Sequence, residues 1–519
     1  MRTKICAVVF ESDADRARDA LTGIGARADL CELRLDALAE PDRHLENLLA
    51  LPRPPVIVTN RPVRDGGRFR GGEQDRIRIL LRALELGAEH VDVEVDAFPA
   101  LPMDAPRERL IASHHDFEET PTDRELDALL ARLEGTGAAI VKLVTTARSF
   151  EDNLRVLDLP ARASRPVIAL CMGEAGRVSR LLAARFGGYV TYGATGPGSE
   201  SAPGQYPVDA LLEEFGVDRI GPRTSIYGIL GGGIGYSLSP RVHNRVFREL
   251  GLDRAYLAFD LSDPEPVLAD PGRLGIAGLS VTIPHKEAAA RHAAVLDEAA
   301  REIGAVNTLV RDGGRWSGSN TDGPAVAGIL ERRLANGDAA EARILVLGAG
   351  GAARAVAWAA RSLGLEGWCA SRSEDAGRSL AERFGLEWIP WSERHDAPAT
   401  IVCNATPIGT GAPSGATAAS AETSTPFHAS RSRHAALLFD TVYIPRWTPF
   451  LAEGSRSGCA VVHGIEMFLA QAALQCRLFT GEDRRDWFLE RFADLGREGD
   501  EGPGGSREPG DPAGRDRRR

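Results

Sequence analysis

Lysine is almost missing from this chain. Of its 62 basic residues only Lys4, Lys142 and Lys286 are lysine; the rest are arginine. Wherever positive charge alone suffices, arginine supplies it. A lysine that persists points to chemistry closed to a guanidinium, such as losing a proton and attacking as an amine. Cysteine is also sparse: seven residues, mostly in apolar stretches (Cys6, Cys31, Cys171, Cys403), without C-x-x-C spacing. That pattern argues against disulfides or zinc and suits buried thiols in a reducing cytoplasm. No apolar run is long enough to span a bilayer. The opening MRTKICAVVF is too short and has the wrong flanks for a secretory signal. A net charge of −11 argues against nonspecific binding to nucleic acid or membrane, so local arginines must hold any anionic ligand.

What is present is organised by a regular beat. At 519 residues the chain is too long for one core. Strand-like runs recur at KICAVVF, ADLCELRL, PVIVTN, EHVDVEV, RLIASH, AAIVKLV, PVIALCM and GGYVTYG, with helix-like segments such as EQDRIRILLRALELG between them. Eight βα units over residues 1–218 predict a (βα)8 TIM barrel, with a doubly wound open sheet as the alternative. A barrel demands polar chemistry at the C-terminal ends of its strands. Glu32 and Arg34, Arg61, His114–His115–Asp116, Lys142 and the loop SAPGQ all fall there. Lys142 is the sharpest of these. It sits inside the apolar, β-branched GAAIVKLVTTA, where an ammonium finds a partner or gives up its proton.

A second α/β pattern begins at SIYGIL after a Pro- and Gly-containing join, and RILVLGAGGAAR opens a third folding unit. Residues 408–436 are a small-residue stretch expected to form a mobile loop, and 497–519 lack apolar residues and should be disordered. In GAGGAAR, Gly348, Gly350 and Ala353 fit a dinucleotide fingerprint, which lets backbone N–H groups approach a pyrophosphate at a helix N-terminus. The next strand ends in CASRS, where Arg372 between Ser371 and Ser373 suits the 2′-phosphate of NADP; another nucleotide is the alternative.

Here a resemblance becomes specific. SLSPRVHN, SVTIPHK, GAVNT, NTDG, GAGGAAR, NATPIG, FDTVY and GIEMFLAQ, in that order, are similar to shikimate dehydrogenase. ELRLD, TNRP, ASHHDF, VKLVTTA, the Ser179–Arg180 pair and SAPGQ resemble type I 3-dehydroquinate dehydratase. The tandem order is similar to the bifunctional plant enzyme. In the first half the resemblance implies a Schiff base on Lys142, His115 as general acid–base, and Glu32, Arg34, Arg61, Arg180, Ser201 and Gln205 as substrate contacts. In the second it implies Lys286 and Asp322 as the catalytic pair, with substrate contacts from Ser237, Ser239, Thr282, Asn307, Tyr443 and Gln471. NADP(H) would be held by Gly348, Ala349, Gly350, Gly351, Ala352, Ser371, Arg372, Ser373, Thr441 and Gly464. The implied domains are 224–330, completed by helices within 465–495, and a Rossmann domain over 331–464.

There are departures from the family pattern. Tyr236 precedes Ser237 where the family has histidine, Ser280–Val281–Thr282 replaces Asn-Val-Thr, and Ala376 stands where a second phosphate-binding base is expected, with Arg378 nearby. The expectation is a cytoplasmic bifunctional enzyme without metal, acting on small molecules, of undetermined oligomeric state. Rivals are a catalytically dead metabolite sensor on the same folds and a catabolic enzyme running on quinate.

Overall fold

The computed structural model describes residues 2–196, 198–337, 341–411 and 424–495. It divides into two compact units that meet between Ile283 and Pro284.

The first unit opens with eight parallel strands: β1 (Lys4–Val9), β2 (Leu30–Arg34), β3 (Val56–Thr59), β4 (His90–Glu94), β5 (Leu110–His115), β6 (Ile140–Thr146), β7 (Val167–Met172) and β8 (Val190–Ala194). They lie in the order β7-β6-β5-β4-β3-β2-β1-β8. Tyr189 N donates to Val167 O at 2.7 Å, drawing the two ends together into a nearly closed barrel. The open-sheet alternative is therefore set aside. Strand periodicity explains the interior. Cys6, Leu30, Ile57, Ile111, Ile140, Ile168 and Val190 pack as one apolar cluster. Two residues further along several strands the same inward face turns polar, giving Glu32, Thr59, Ser113 and Lys142. The apolar floor stabilises the barrel and the polar tier above it carries chemistry. Three further parallel strands, β9 (Ser225–Gly231), β10 (Arg254–Asp260) and β11 (Ile276–Val281), pair in the order β10-β9-β11.

In the second unit β12 (Ala293–Leu296) runs parallel to β14 (Arg315–Ser319), which pairs antiparallel with β13 (Thr308–Asp312). A parallel sheet follows, built from β15 (Ile344–Leu347), β16 (Gly367–Ser371), β17 (Glu387–Pro390), β18 (Ile401–Asn404), β19 (Leu437–Asp440) and β20 (Ala460–Val462). Its order, β17-β16-β15-β18-β19-β20, is that of a doubly wound dinucleotide-binding sheet. Of the loop read over 408–436, residues 412–423 lie outside the described residues, as does the tail 497–519. The described part, 424–436, is anchored: Phe427 is buried and stacks on His395 at 4.8 Å. Small-residue composition hid that single anchoring ring.

Candidate active sites

The polar tier of the barrel centres on Lys142, which pairs with Ser113 of β5 across the sheet. Its Nζ lies 2.9 Å from Asp92 Oδ2 and 3.3 Å from Glu32 Oε1, and 4.5 Å above the Tyr192 ring. Thr59 Oγ1 donates to the same Glu32 oxygen. Arg61, just past β3, donates to Asp92, Glu94 and the Ser113 hydroxyl. Arg34 forms a bidentate pair with Asp36 at 2.9 Å per bond. Lys142, Arg61, Glu32 and Asp92 are all nearly inaccessible, so their charges must compensate one another. Arg61 and Lys142 hold the Asp92 carboxyl far below the usual carboxylate range against the opposing effect of burial.

His115 stands one inward step above Ser113 on β5, so it overlooks Lys142. Burial first, then the cations Arg61 and Lys142, hold its imidazole well below the ordinary histidine value, leaving a neutral base. Its Nδ1 is buried without a hydrogen-bond partner. His114 alternates to the opposite face.

Arg180 is different. It lies on the helix Arg177–Leu182 after β7, buried, with Nε unpartnered and no ion pair among the described residues. Burial lowers its guanidinium from the ordinary arginine value to about 10, with neighbouring Cys171 and Tyr206 only partly opposing this. A buried cation without a carboxylate suits an anionic ligand. Ser201 and Gln205 lie on the loop after β8, where Ser201 N donates to Gln205 Oε1 at 2.9 Å. Gly204, at φ +77°, seats this loop so closely on Gly173 O that a Cβ would overlap it.

Sequence reasoning passed over Asp92, Glu94, Ser113 and Arg76. The first two had a signal: acidic residues two apart within the β-branched run HVDVEV share one face of a strand.

Further along the first unit, Ser237 Oγ accepts from Ser239 N at 3.3 Å where the helix Ser239–Glu249 begins. Ser239 is buried, and Thr282 follows β11, its N–H donating to Leu230 O at 2.9 Å. In the second unit Lys286 Nζ pairs with Asp322 Oδ2. Asn307 Nδ2 donates to Asp322 Oδ1 and to Thr321 Oγ1, each at 2.8 Å, and Thr321 Oγ1 reaches Gln471 Oε1 at 3.3 Å. Asp322 opens the helix Asp322–Ala335, whose N-terminal dipole favours its negative charge. Tyr443 stacks on Phe468 at 5.3 Å.

The residues around the glycine-rich turn fit a dinucleotide. Gly348 has φ +108°, and a Cβ there would meet Ala405 O at 2.9 Å. Gly350 faces open space, and a Cβ on Gly351 would lie 4.0 Å from Lys286 Cδ, which puts the turn beside the Lys286–Asp322 pair. The helix Gly351–Ser362 presents unpaired N–H groups of Gly351, Ala352 and Ala353 at its start. Gly464 touches Val442 so closely that a Cβ would overlap its carbonyl, and Thr441 N donates to Asn404 O at 2.9 Å. Arg372 is exposed, with no hydrogen bond or ion pair among the described residues. Of the two hydroxyls flanking it, that of Ser371 is already engaged. That Oγ donates to Ser373 O and accepts from Trp388 Nε1, because the indole N–H of β17 needs a partner. Ser373 Oγ caps the helix Glu374–Phe384.

A lysine-centred (βα)8 barrel, joined in one chain to a doubly wound sheet with a Lys–Asp pair at its glycine turn, defines a two-site α/β enzyme. A family model described as type I 3-dehydroquinase matches residues 5–221, and one described as the shikimate dehydrogenase substrate binding domain matches 229–309. The chain is 35% identical over 501 residues to the chloroplastic bifunctional 3-dehydroquinate dehydratase/shikimate dehydrogenase of Arabidopsis thaliana, covering 92% of this chain and 82% of that protein. It is 27% identical to the shikimate biosynthesis protein AroDE of Chlamydia pneumoniae, covering 92% and 95%. The shikimate dehydrogenase (NADP(+)) of Oleidesulfovibrio alaskensis is 40% identical over 267 residues, covering 50% and 90%. The chain belongs to the bifunctional 3-dehydroquinate dehydratase/shikimate dehydrogenase family.

Proposed function

We propose that this chain dehydrates 3-dehydroquinate to 3-dehydroshikimate and then reduces that product to shikimate with NADPH. The observation that carries the reading is the barrel's chemistry: a buried lysine overlooked by a neutral histidine, with a buried arginine after β7 that has no ion pair among the described residues. The Lys142 amine condenses with the substrate ketone, releasing one water. The iminium acidifies the adjacent C–H, His115 takes that proton, and the resulting enamine expels the neighbouring hydroxyl as water with a proton returned by His115. Hydrolysis of the imine consumes one water and frees Lys142, so the balance is one water lost. Arg180 holds the substrate carboxylate through charge-assisted hydrogen bonds.

At the second site bound NADPH supplies a hydride. Lys286 donates to the carbonyl oxygen as negative charge develops there, Asp322 orients Lys286, and Asn307 orients Asp322. Gln471 and Tyr443 contact the substrate, and the motifs holding Ser237, Ser239 and Thr282 imply that role for them too. Gly348, Gly350 and the helix N–H groups hold the pyrophosphate, and Arg372 the 2′-phosphate. The same reading divides the chain into 1–218, 224–330 with 465–495, 331–464, and the tail 497–519. Among the described residues no helix is long and apolar enough to cross a membrane. Seven cysteines, six of them buried and none in a disulfide among the described residues, support a reducing, cytoplasmic setting.

The test is one cuvette of purified protein, 3-dehydroquinate and NADPH, in which nicotinamide absorbance should fall. Oxidation with added 3-dehydroshikimate but none with 3-dehydroquinate would refute the dehydratase half. No oxidation with either would refute the reductase half.

A further inference from the structure

The helix Glu73–Glu85 buries Ile77, Leu80, Ala83 and Leu84 in the ordinary amphipathic manner, yet Arg76 is as fully buried as Leu80 and Ala83, at 0% exposure. A line of alternating charges runs from it into the barrel. Arg76 Nη1 lies 2.6 Å from Glu94 Oε2, and Glu94 Oε1 lies 2.8 Å from Arg61 Nη1. Arg61 Nη2 lies 3.0 Å from Asp92 Oδ2, and that oxygen is 2.9 Å from Lys142 Nζ, whose far side meets Glu32 at 3.3 Å. From Arg76 inward the line holds three cations and three carboxylates, and at its outer end Arg76 also pairs with Glu73, which Arg64 meets at 2.7 Å. Buried ion pairs of this kind rarely stabilise more than well-packed apolar residues would, and the attested reason to keep one is to fix a geometry.

We propose that Arg76, remote from the substrate, is a positioning residue of the dehydration: it fixes the Glu94 carboxylate against Arg61, and Arg61 in turn fixes Asp92 beside Lys142. This rests on the dehydratase reading. Glu94 is the sensitive link. The charged groups facing it are Arg61 from the segment after β3, Arg76 from the helix and Asp92 on its own strand, while Arg64 feels it from further off. Burial and Asp92 raise its carboxyl above the ordinary value even with both arginines opposing them. Without Arg76 the line carries one excess negative charge, and Glu94 is placed to neutralise it by taking a proton. A neutral Glu94 no longer anchors Arg61, so Asp92 loses its fixed place beside the reacting amine.

The experiment measures dehydration as a function of pH for wild type, Arg76→Met and Arg76→Lys, with reduction of added 3-dehydroshikimate and thermal unfolding on the same samples. For Arg76→Met, kcat should fall by about tenfold or more with KM changed less than about threefold, since the lost interaction acts on the chemical step. The competent form needs Glu94 ionised, and its proton now leaves at higher pH, so the acidic limb should move upward by about one pH unit. Arg76→Lys should restore most of kcat. A folded Arg76→Met with wild-type kcat and pH profile overturns the proposal. If Arg76→Met does not fold, the neutral pair Arg76→Gln with Glu94→Gln serves. It should lose kcat without a displaced limb, and wild-type kcat in that pair also overturns the proposal. A wild type that reduces 3-dehydroshikimate but never dehydrates refutes the dehydratase reading instead, a separate outcome.

Discussion

Replacing Arg180 by methionine should trade binding for stability. The guanidinium is buried, and burial lowers it from the ordinary arginine value to about 10. At about 1.4 kcal/mol per pH unit, keeping it charged in the barrel interior costs on the order of 3 kcal/mol. Methionine keeps the apolar stem, ends level with Nε and carries no charge. Arg180→Met should return most of that cost, and for a barrel of this size about 3 kcal/mol raises the unfolding transition by about 5–10 °C. The gain comes at the expense of the substrate. Losing a desolvated, charge-assisted pair with a carboxylate is worth about 3 kcal/mol, which is on the order of a hundredfold in KM. Steady-state dehydration followed by absorbance of the conjugated product, with differential scanning calorimetry on the same sample, reads both. Reduction of 3-dehydroshikimate by the same protein is the internal control. A higher melting transition with KM within about threefold of wild type would mean that Arg180 faces no anionic ligand. A lower transition with unchanged KM would mean that it is a structural cation.

Lys142→Arg keeps the charge but cannot form an imine, so dehydration should vanish while reduction of 3-dehydroshikimate survives; in the wild type, borohydride with 3-dehydroquinate should add a stable mass to the peptide holding Lys142. Arg372→Asp should weaken NADPH at least tenfold more than NADH, because it replaces a cation by a charge that repels the 2′-phosphate; equal losses for both would place that phosphate elsewhere. His115 is held below its ordinary value in the folded barrel, so on acidification below about pH 6.5 the unfolded chain takes up a proton that the folded one refuses. Stability should then fall by up to about 1.4 kcal/mol per pH unit, and His115→Gln should flatten that part of a urea-midpoint curve.

Particular residues show how much was legible beforehand. Lys142 stood out because a lone lysine in a β-branched run contradicts both the local pattern and the chain's preference for arginine. The glycine turn at Gly348–Gly350 was readable because it needs a backbone conformation that only glycine adopts freely. Asp92 and Glu94 were visible as alternate residues of a strand, but nothing local showed that both face cations. The partners of Ser371 were not readable, since Trp388 comes from the next strand. Arg76 looked like one of several arginines on a helix surface.

From order and periodicity alone, the sequence determined the eight βα units, the lysine at their polar tier and the nucleotide turn that follows. Those are local properties: a period of two places side chains on one face of a strand, and φ preferences act within one residue. The tertiary structure alone decided which charges are paired. Arg61, Arg76, Asp92, Glu94 and Lys142 come from two strands, a loop and a helix, and only closure of the sheet brings them within 3.0 Å of their neighbours in one line. Burial is likewise a property of the whole barrel. It leaves Arg180 without a counter-charge and His115 neutral, because desolvation depends on every segment packed around a group and not on its own position in the chain.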